Sequence, residues 1–238
     1  MSYRKFLRQH VFKYDDYIKD IIKVKFSSLL LPRQNTVRII YYHYVFPENY
    51  MNFLNQIDLY DELGFCTLSD ANDSDISLTF DDTYRLNKRV FEHLRHREIP
   101  VTLFVSPAAV VNQSDIYSGS TLSQFTVDDL KYLRDIGVSL QNHTYSHSWN
   151  SNDRELIFDF ERAQHWFDQT LSISCDFAAL PRGDFPKDLK YFEIEMKKIG
   201  INCTLTTSRS AHKNHYFKGR HHIMPHWPVS TIKYFMNV

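Results

Sequence analysis

The stretch SLTFDDTY, residues 77–84, sets two carboxylates, Asp81 and Asp82, directly after a short apolar run. Like charges side by side at the end of a strand are costly unless something positive sits next to them. Further along, NHTYSH places His143 and His147 four residues apart, so one helical turn or a tight loop turns both imidazoles to one side. Two imidazoles and a carboxylate from another loop form an open divalent-metal set, with positions left for water and substrate. Such an ion offsets the charge of one carboxylate and lowers the cost of keeping its neighbour ionised. Each half has an ordinary reading by itself, the aspartates as a turn and the histidines as a surface coincidence. They gain meaning together if the elements that carry them end on one face.

From residue 36 onward the chain alternates strand and helix signals. TVRIIYYHYVF (36–46) is β-rich in branched and aromatic residues. A helical pattern over 50–63 ends at Gly64, and the same grammar recurs at Gly137 and Gly200, where an amphipathic run meets a glycine suited to a left-handed cap. Pro100 stops another helix ahead of VTLFV, Thr126 with Asp129 reads as a capping box, and Pro186 after Asp184 reads as a helix start. Strands are expected at 37–45, 65–68, 76–80, 101–106, 138–142, 175–180, 202–206 and 221–224. Short joints between alternating units argue for a mainly parallel sheet with helices outside. We therefore expect an α/β fold, a distorted or incomplete (β/α) barrel of about seven strands. In such folds the carboxyl ends of strands build the site, and Asp81, Asp82 and His143 sit at such ends.

The chain has 238 residues, with Lys+Arg and Asp+Glu both 28 and a formal net charge of +0. No basic excess exists to neutralise phosphates, which argues against nucleic acid as a partner. Cys66, Cys175 and Cys203 are odd in number and form no C-x-x-C, so no disulfide framework or zinc knuckle is indicated. Residues 3–26 carry apolar and aromatic side chains at helical spacing, with Arg4, Lys5, Arg8 and Lys13 among the polar ones. This helix either packs on its own domain or lies against a membrane surface. We expect residues 1–35 to be a helical extension and 36–238 the barrel domain. The run Leu29–Leu31 stops at Pro32, too short for a signal-peptide core, so a cytoplasmic protein is expected.

TFDD, HTYSH and FAALPRGDF follow one another in the order and approximate spacing of the NodB-type polysaccharide deacetylases, carbohydrate esterase family 4. RIIYYHYV is similar to the YHxV strand that opens one branch of that family, whose members act on N-acetylglucosamine polymers. The resemblance runs over roughly residues 36 to 230. It implies a metal-dependent hydrolase that removes N-acetyl groups from amino sugars of a polysaccharide or glycan precursor. Asp82, His143 and His147 would hold the divalent ion; zinc comes first, with cobalt, nickel and iron also suited to the donors. Asp81 would be the general base toward the attacking water. The loop Pro181-Arg182-Gly183 would supply a backbone N–H to the oxyanion, where the family usually has Pro-Tyr-Gly. The general acid would be His43, the histidine of YHxV, with His226 of IMPHWPV in reserve. His212, His215, His221 and His222 crowd the same tail and read as a solvated or substrate-facing loop, with a second metal site as the alternative.

The chain departs from the family pattern in three places. Thr83 stands where the family has glycine, so this loop must avoid positive φ there or take another path. Ala179 stands where many members carry an arginine that braces the base, and Arg182 is the substitute we expect. Arg182 also replaces the usual tyrosine. Two other functions stay open at this stage: release of another acyl group, such as formyl, from a lipid-linked amino sugar, or carbohydrate binding without catalysis. With no export signal, a precursor at the inner membrane face is the expected substrate, reached by docking of helix 3–26.

Overall fold

The computed structural model describes residues 38–71, 75–113, 122–147, 152–183, 185–207 and 216–236. The expected helical extension over 1–35, with its membrane contact, lies outside the described residues, as do His212 and His215. No helix among the described residues is long and apolar enough to cross a membrane.

Strands and helices alternate: β1 (Ile39–Tyr42), α1 (Tyr50–Asp61), β2 (Ser77–Asp81), α2 (Lys88–His96), β3 (Val101–Val105), α3 (Pro107–Asn112), α4 (Val127–Asp135) and β4 (Ser139–Asn142). Then come α5 (Asp153–Leu171), β5 (Phe177–Ala179), α6 (Leu189–Lys198), β6 (Cys203–Thr206), β7 (Phe217–Gly219), β8 (His221–His222) and α7 (Val229–Met236). The sheet order is β7-β6-β5-β4-β3-β2-β1-β8, and every pairing is parallel. The result is a nearly closed (β/α) barrel, as the alternation of signals implies. Gly64, Gly137 and Gly200 take φ of 86°, 91° and 89°, the left-handed caps expected of them. Thr126 and Asp129 form the capping box of α4.

Pleating sorts the strand residues onto two faces. One face of β1 to β3, including Ile40, Tyr42, Leu78, Phe80, Leu103 and Val105, joins Phe53, Phe91 and Phe125 in the large core beneath the helices. The opposite face contributes Ile39, Phe104, Ala179, Cys203 and Leu205 to a small separate cluster. Thr79 and Asp81 alternate with Leu78 and Phe80, which puts the first aspartate on the lumen side of the wall.

Three expectations need correction. Residues 65–68 form no strand; Phe65 makes a single parallel bridge to Ile76, with Gly64 and Cys66 sharing backbone hydrogen bonds with it. Helix α6 starts at Leu189, three residues beyond Pro186, with Asp188 as its cap accepting the Tyr191 N–H; Asp184 lies outside the described residues. In the tail the loop reading of His221 and His222 fails, while the strand expected at 221–224 is present, shortened to these two residues. His221 and His222 pair with Ile40 and Tyr41, while Phe217–Gly219 pairs with β6. Strands β7 and β8 are separated only by Arg220, so one extended segment joins both edges of the sheet.

That seam is fastened from behind by α1. Buried Gln56 accepts from the Tyr42 hydroxyl at 2.7 Å and donates to the carbonyls of Met224, Pro225 and Trp227. Asn52 donates to Pro225 and Trp227 as well. Replacing Gln56 by leucine removes the donor to Met224 and one of the two donors to Pro225 and Trp227, and takes the acceptor from the Tyr42 hydroxyl. We expect Gln56→Leu to lose about 2 kcal/mol of stability in urea unfolding; an unchanged midpoint would mean that other donors hold the segment.

Candidate active site

Asp81 closes β2 and Asp82 follows at φ 68°, a conformation aspartate tolerates better than most residues. The positive φ therefore falls on Asp82 and not on Thr83, which explains how threonine is accommodated. The Thr83 hydroxyl donates to Gln124 at 2.7 Å and its carbonyl accepts the Phe125 N–H. The histidine loop departs from β4 in the same manner, with Thr144 at φ 62° and His147 at φ 54°. Asn142 accepts the Thr144 N–H, and Asp159 of α5 accepts the Ser146 N–H and hydroxyl, each at 2.9–3.0 Å. These anchors offset the backbone strain collected at the mouth of the barrel.

Asp82, His143 and His147 are buried together, with one ligand atom from each lying within 4.8 Å of the others. Asp82 Oδ1 is 3.7 Å from His147 Nε2 and 4.0 Å from His143 Nε2. Such spacings suit donors that each sit about 2.0–2.2 Å from a shared ion. His143 Nδ1 lies 2.8 Å from the Ala179 carbonyl, which can only accept, so Nδ1 carries the proton and Nε2 offers its lone pair. Desolvation lowers the pKa of both imidazoles. In His143 it is helped by Arg220 and opposed by Asp81; His147, further repelled by His143, falls to about 2. Two neutral imidazoles beside a carboxylate leave one net negative charge, which fits a divalent cation. The three residues can hold a metal ion.

Asp81 is in a different position. Arg220 Nη1 and Nη2 donate to its two oxygens at 2.5 and 2.6 Å, with both residues buried. The guanidinium lies over the ring of Tyr41, at 4.3 Å, and that of Phe104, at 5.3 Å. Burial by itself would raise the Asp81 pKa, but Arg220, then His143 and His43, bring it down to about 2. The brace is therefore Arg220 and not Arg182, which is exposed on the turn after β5 at φ 58°. Sequence reasoning missed Arg220, whose neighbours in YFKGRHHI carry no periodicity that would set one basic side chain apart.

His43 follows β1 by one residue. Asn87 donates to the His43 carbonyl at 2.7 Å and accepts the Val45 N–H at 2.9 Å. Its Nδ1 is 3.1 Å from His222 Nε2, and desolvation pushes its pKa down to about 4. His226 is exposed in the turn after β8 and is not among the groups that act on Asp81. In the turn Pro181–Gly183, the Gly183 N–H donates to Leu180 and its carbonyl accepts the Thr206 hydroxyl.

Residues 69–202, more than half of the chain, match the sequence model of the family described as polysaccharide deacetylase. The chain belongs to the polysaccharide deacetylase family. It is accordingly a hydrolase, an N-deacetylase by family. Among solved structures it is similar to IcaB from Ammonifex degensii, with TM-score 0.70 and 20% identity over 87% of this chain and 99% of that one. The Streptococcus pyogenes deacetylase PplD, in complex with acetate, superposes with TM-score 0.67 at 18% identity, covering 84% of this chain and 97% of that one. BC0361, a polysaccharide deacetylase from Bacillus cereus, gives TM-score 0.63 at 16% identity over 83% and 68%. At these identities the likeness is one of fold. No curated protein sequence matches the chain.

Removing Arg220 leaves the Asp81 charge buried without its bidentate partner. Arg220→Met should cost about 3–5 kcal/mol at pH 7 by denaturant unfolding, and combining it with Asp81→Asn should cost less than the sum of the single changes. In the metal-free parent the depressed Asp81 pKa stabilises the fold fully above the ordinary carboxylate pKa of 3.8; this contribution is lost as pH falls toward 2. Strict additivity of the two substitutions would show that the pair is not coupled.

Proposed function

We propose that this deacetylase hydrolyses the N-acetyl group of an N-acetylated amino sugar in a glycan, with a divalent ion held by Asp82, His143 and His147. Zinc is the first choice, since a carboxylate and two imidazoles match its usual donors. When bound, such an ion lowers the pKa of water and polarises an acyl carbonyl. The observation that carries the reading is the pairing of unlike carboxylates: Asp82 within reach of two neutral imidazoles, and Asp81 ionised beside them and turned to Arg220.

Asp81 accepts the proton of the attacking water as its oxygen adds to the acyl carbon, and Arg220 keeps that carboxylate ionised and aligned. In the loop Pro181–Gly183 the candidate oxyanion donor is the Arg182 N–H, since proline has none and Gly183 donates to Leu180. The C–N bond then breaks, and the sugar nitrogen takes a proton from His43 Nε2, giving acetate and a free amine. His43 is favoured over His226 because it acts on Asp81 electrostatically and its carbonyl is fixed by Asn87.

The test is amine release from N-acetylglucosamine oligomers, together with metal analysis of untagged protein. We expect near one metal per chain in the parent and in Asp81→Asn, with turnover of that variant reduced about 10²-fold or more. His147→Ala should lose the metal. An Asp81→Asn variant that turns over like the parent removes the base assignment, and a metal-loaded parent with no amine release favours a carbohydrate-binding role.

A further inference from the structure

The His43–His222 contact is unusual in that both rings belong to the barrel wall and their nitrogens face each other. His43 Nδ1 and His222 Nε2 are 3.1 Å apart, with the rings edge-to-face at 87°. The His222 ring is in turn stacked on Tyr41 at 4.7 Å and 16°, and β8 pairing sets its backbone opposite Tyr41. Its position is thus fixed by packing and by main chain, independently of His43. A hydrogen bond between two imidazoles needs one donor and one acceptor, so the tautomers of His43 and His222 are linked.

We propose that His222 is a positioning residue for the reaction: it accepts the His43 Nδ1–H, which orients the ring and leaves Nε2 as the nitrogen that exchanges a proton with the substrate. This rests on His43 being the general acid. To deliver a proton from Nε2, His43 must carry hydrogens on both nitrogens, and the Nδ1–H of that cation needs an acceptor. Desolvation and the charges of Arg220 and His143 oppose the cation, while Asp81 favours it. Desolvation first, then the charges of His43, Arg220 and His226, hold His222 neutral against the opposing pull of Asp81, its pKa down at about 3. A neutral imidazole protonated on Nδ1 presents a lone pair at Nε2, which is the acceptor required. After transfer His43 is left as the neutral Nδ1–H tautomer, still bonded to His222, so the hydrogen bond persists through the step.

The experiment compares His222→Ala, His222→Gln and His43→Ala with the parent. Nitrogen NMR of histidine-labelled protein, with His43 assigned by its own variant, should report His43 protonated on Nδ1 in the parent and in His222→Gln, whose amide oxygen can accept. In His222→Ala it should report a mixture of tautomers. In amine release from N-acetylglucosamine oligomers, His222→Ala should lower kcat about tenfold with KM little changed, and should move the alkaline limb of the pH–rate profile about one unit lower. His222→Gln should recover most of both. An unaltered His43 tautomer in His222→Ala overturns the inference. So does a parental pH profile in His222→Ala when His43→Ala has lost the alkaline limb, which leaves the acid assignment standing. If His43→Ala keeps that limb, the acid assignment fails first, and the inference with it.

Discussion

The Asp81–Arg220 pair ties the closing of the barrel to the charge of its site. Burying a carboxylate without a partner costs several kcal/mol, and the cost is offset only when geometry and hydrogen bonding are good. Here both carboxylate oxygens accept from one guanidinium, which also lies over two aromatic rings. The arginine stands at the point where the segment Phe217–His222 crosses from β6 to β1. The segment that spans the two edges of the sheet therefore also carries the cation that faces Asp81.

The constraint also explains how two adjacent carboxylates come to have different chemistry. The pleat of β2 turns Asp81 inward, and the left-handed backbone at Asp82 swings the next carboxylate toward the histidine loop. One is spoken for by a guanidinium; the other faces two imidazoles that desolvation keeps neutral. The strain of these turns is met by side chains from the surrounding helices and loops, Asp159 and Gln124 among them.

A single short segment serves both sides of the proposed reaction. Arg220 and His222 are two apart on extended chain and so face the same way. Tyr41 meets both, with the guanidinium over its ring and the imidazole stacked on it. The brace of the base and the partner of His43 therefore share one aromatic support, and the Gln56 and Asn52 bonds to residues 224–227 hold that arrangement in place.

Much of this was legible in order and spacing. Alternating strand and helix signals with glycine stops announced a parallel barrel, and TFDD with HTYSH announced a carboxylate–imidazole site at strand ends, because strand pleat and i to i+4 spacing are local properties of the chain. Local patterns also misled: FCTL has strand composition but only one bridge, and Asp184 with Pro186 resembled a helix start that Asp188 provides. What only the tertiary structure decided was which cation answers Asp81 and which group answers His43. Those partners lie 139 and 179 residues away, in a run of basic and imidazole side chains with no periodicity to mark it. Their roles arise from the crossing of one strand between two sheet edges, and that pairing depends on the whole barrel having closed.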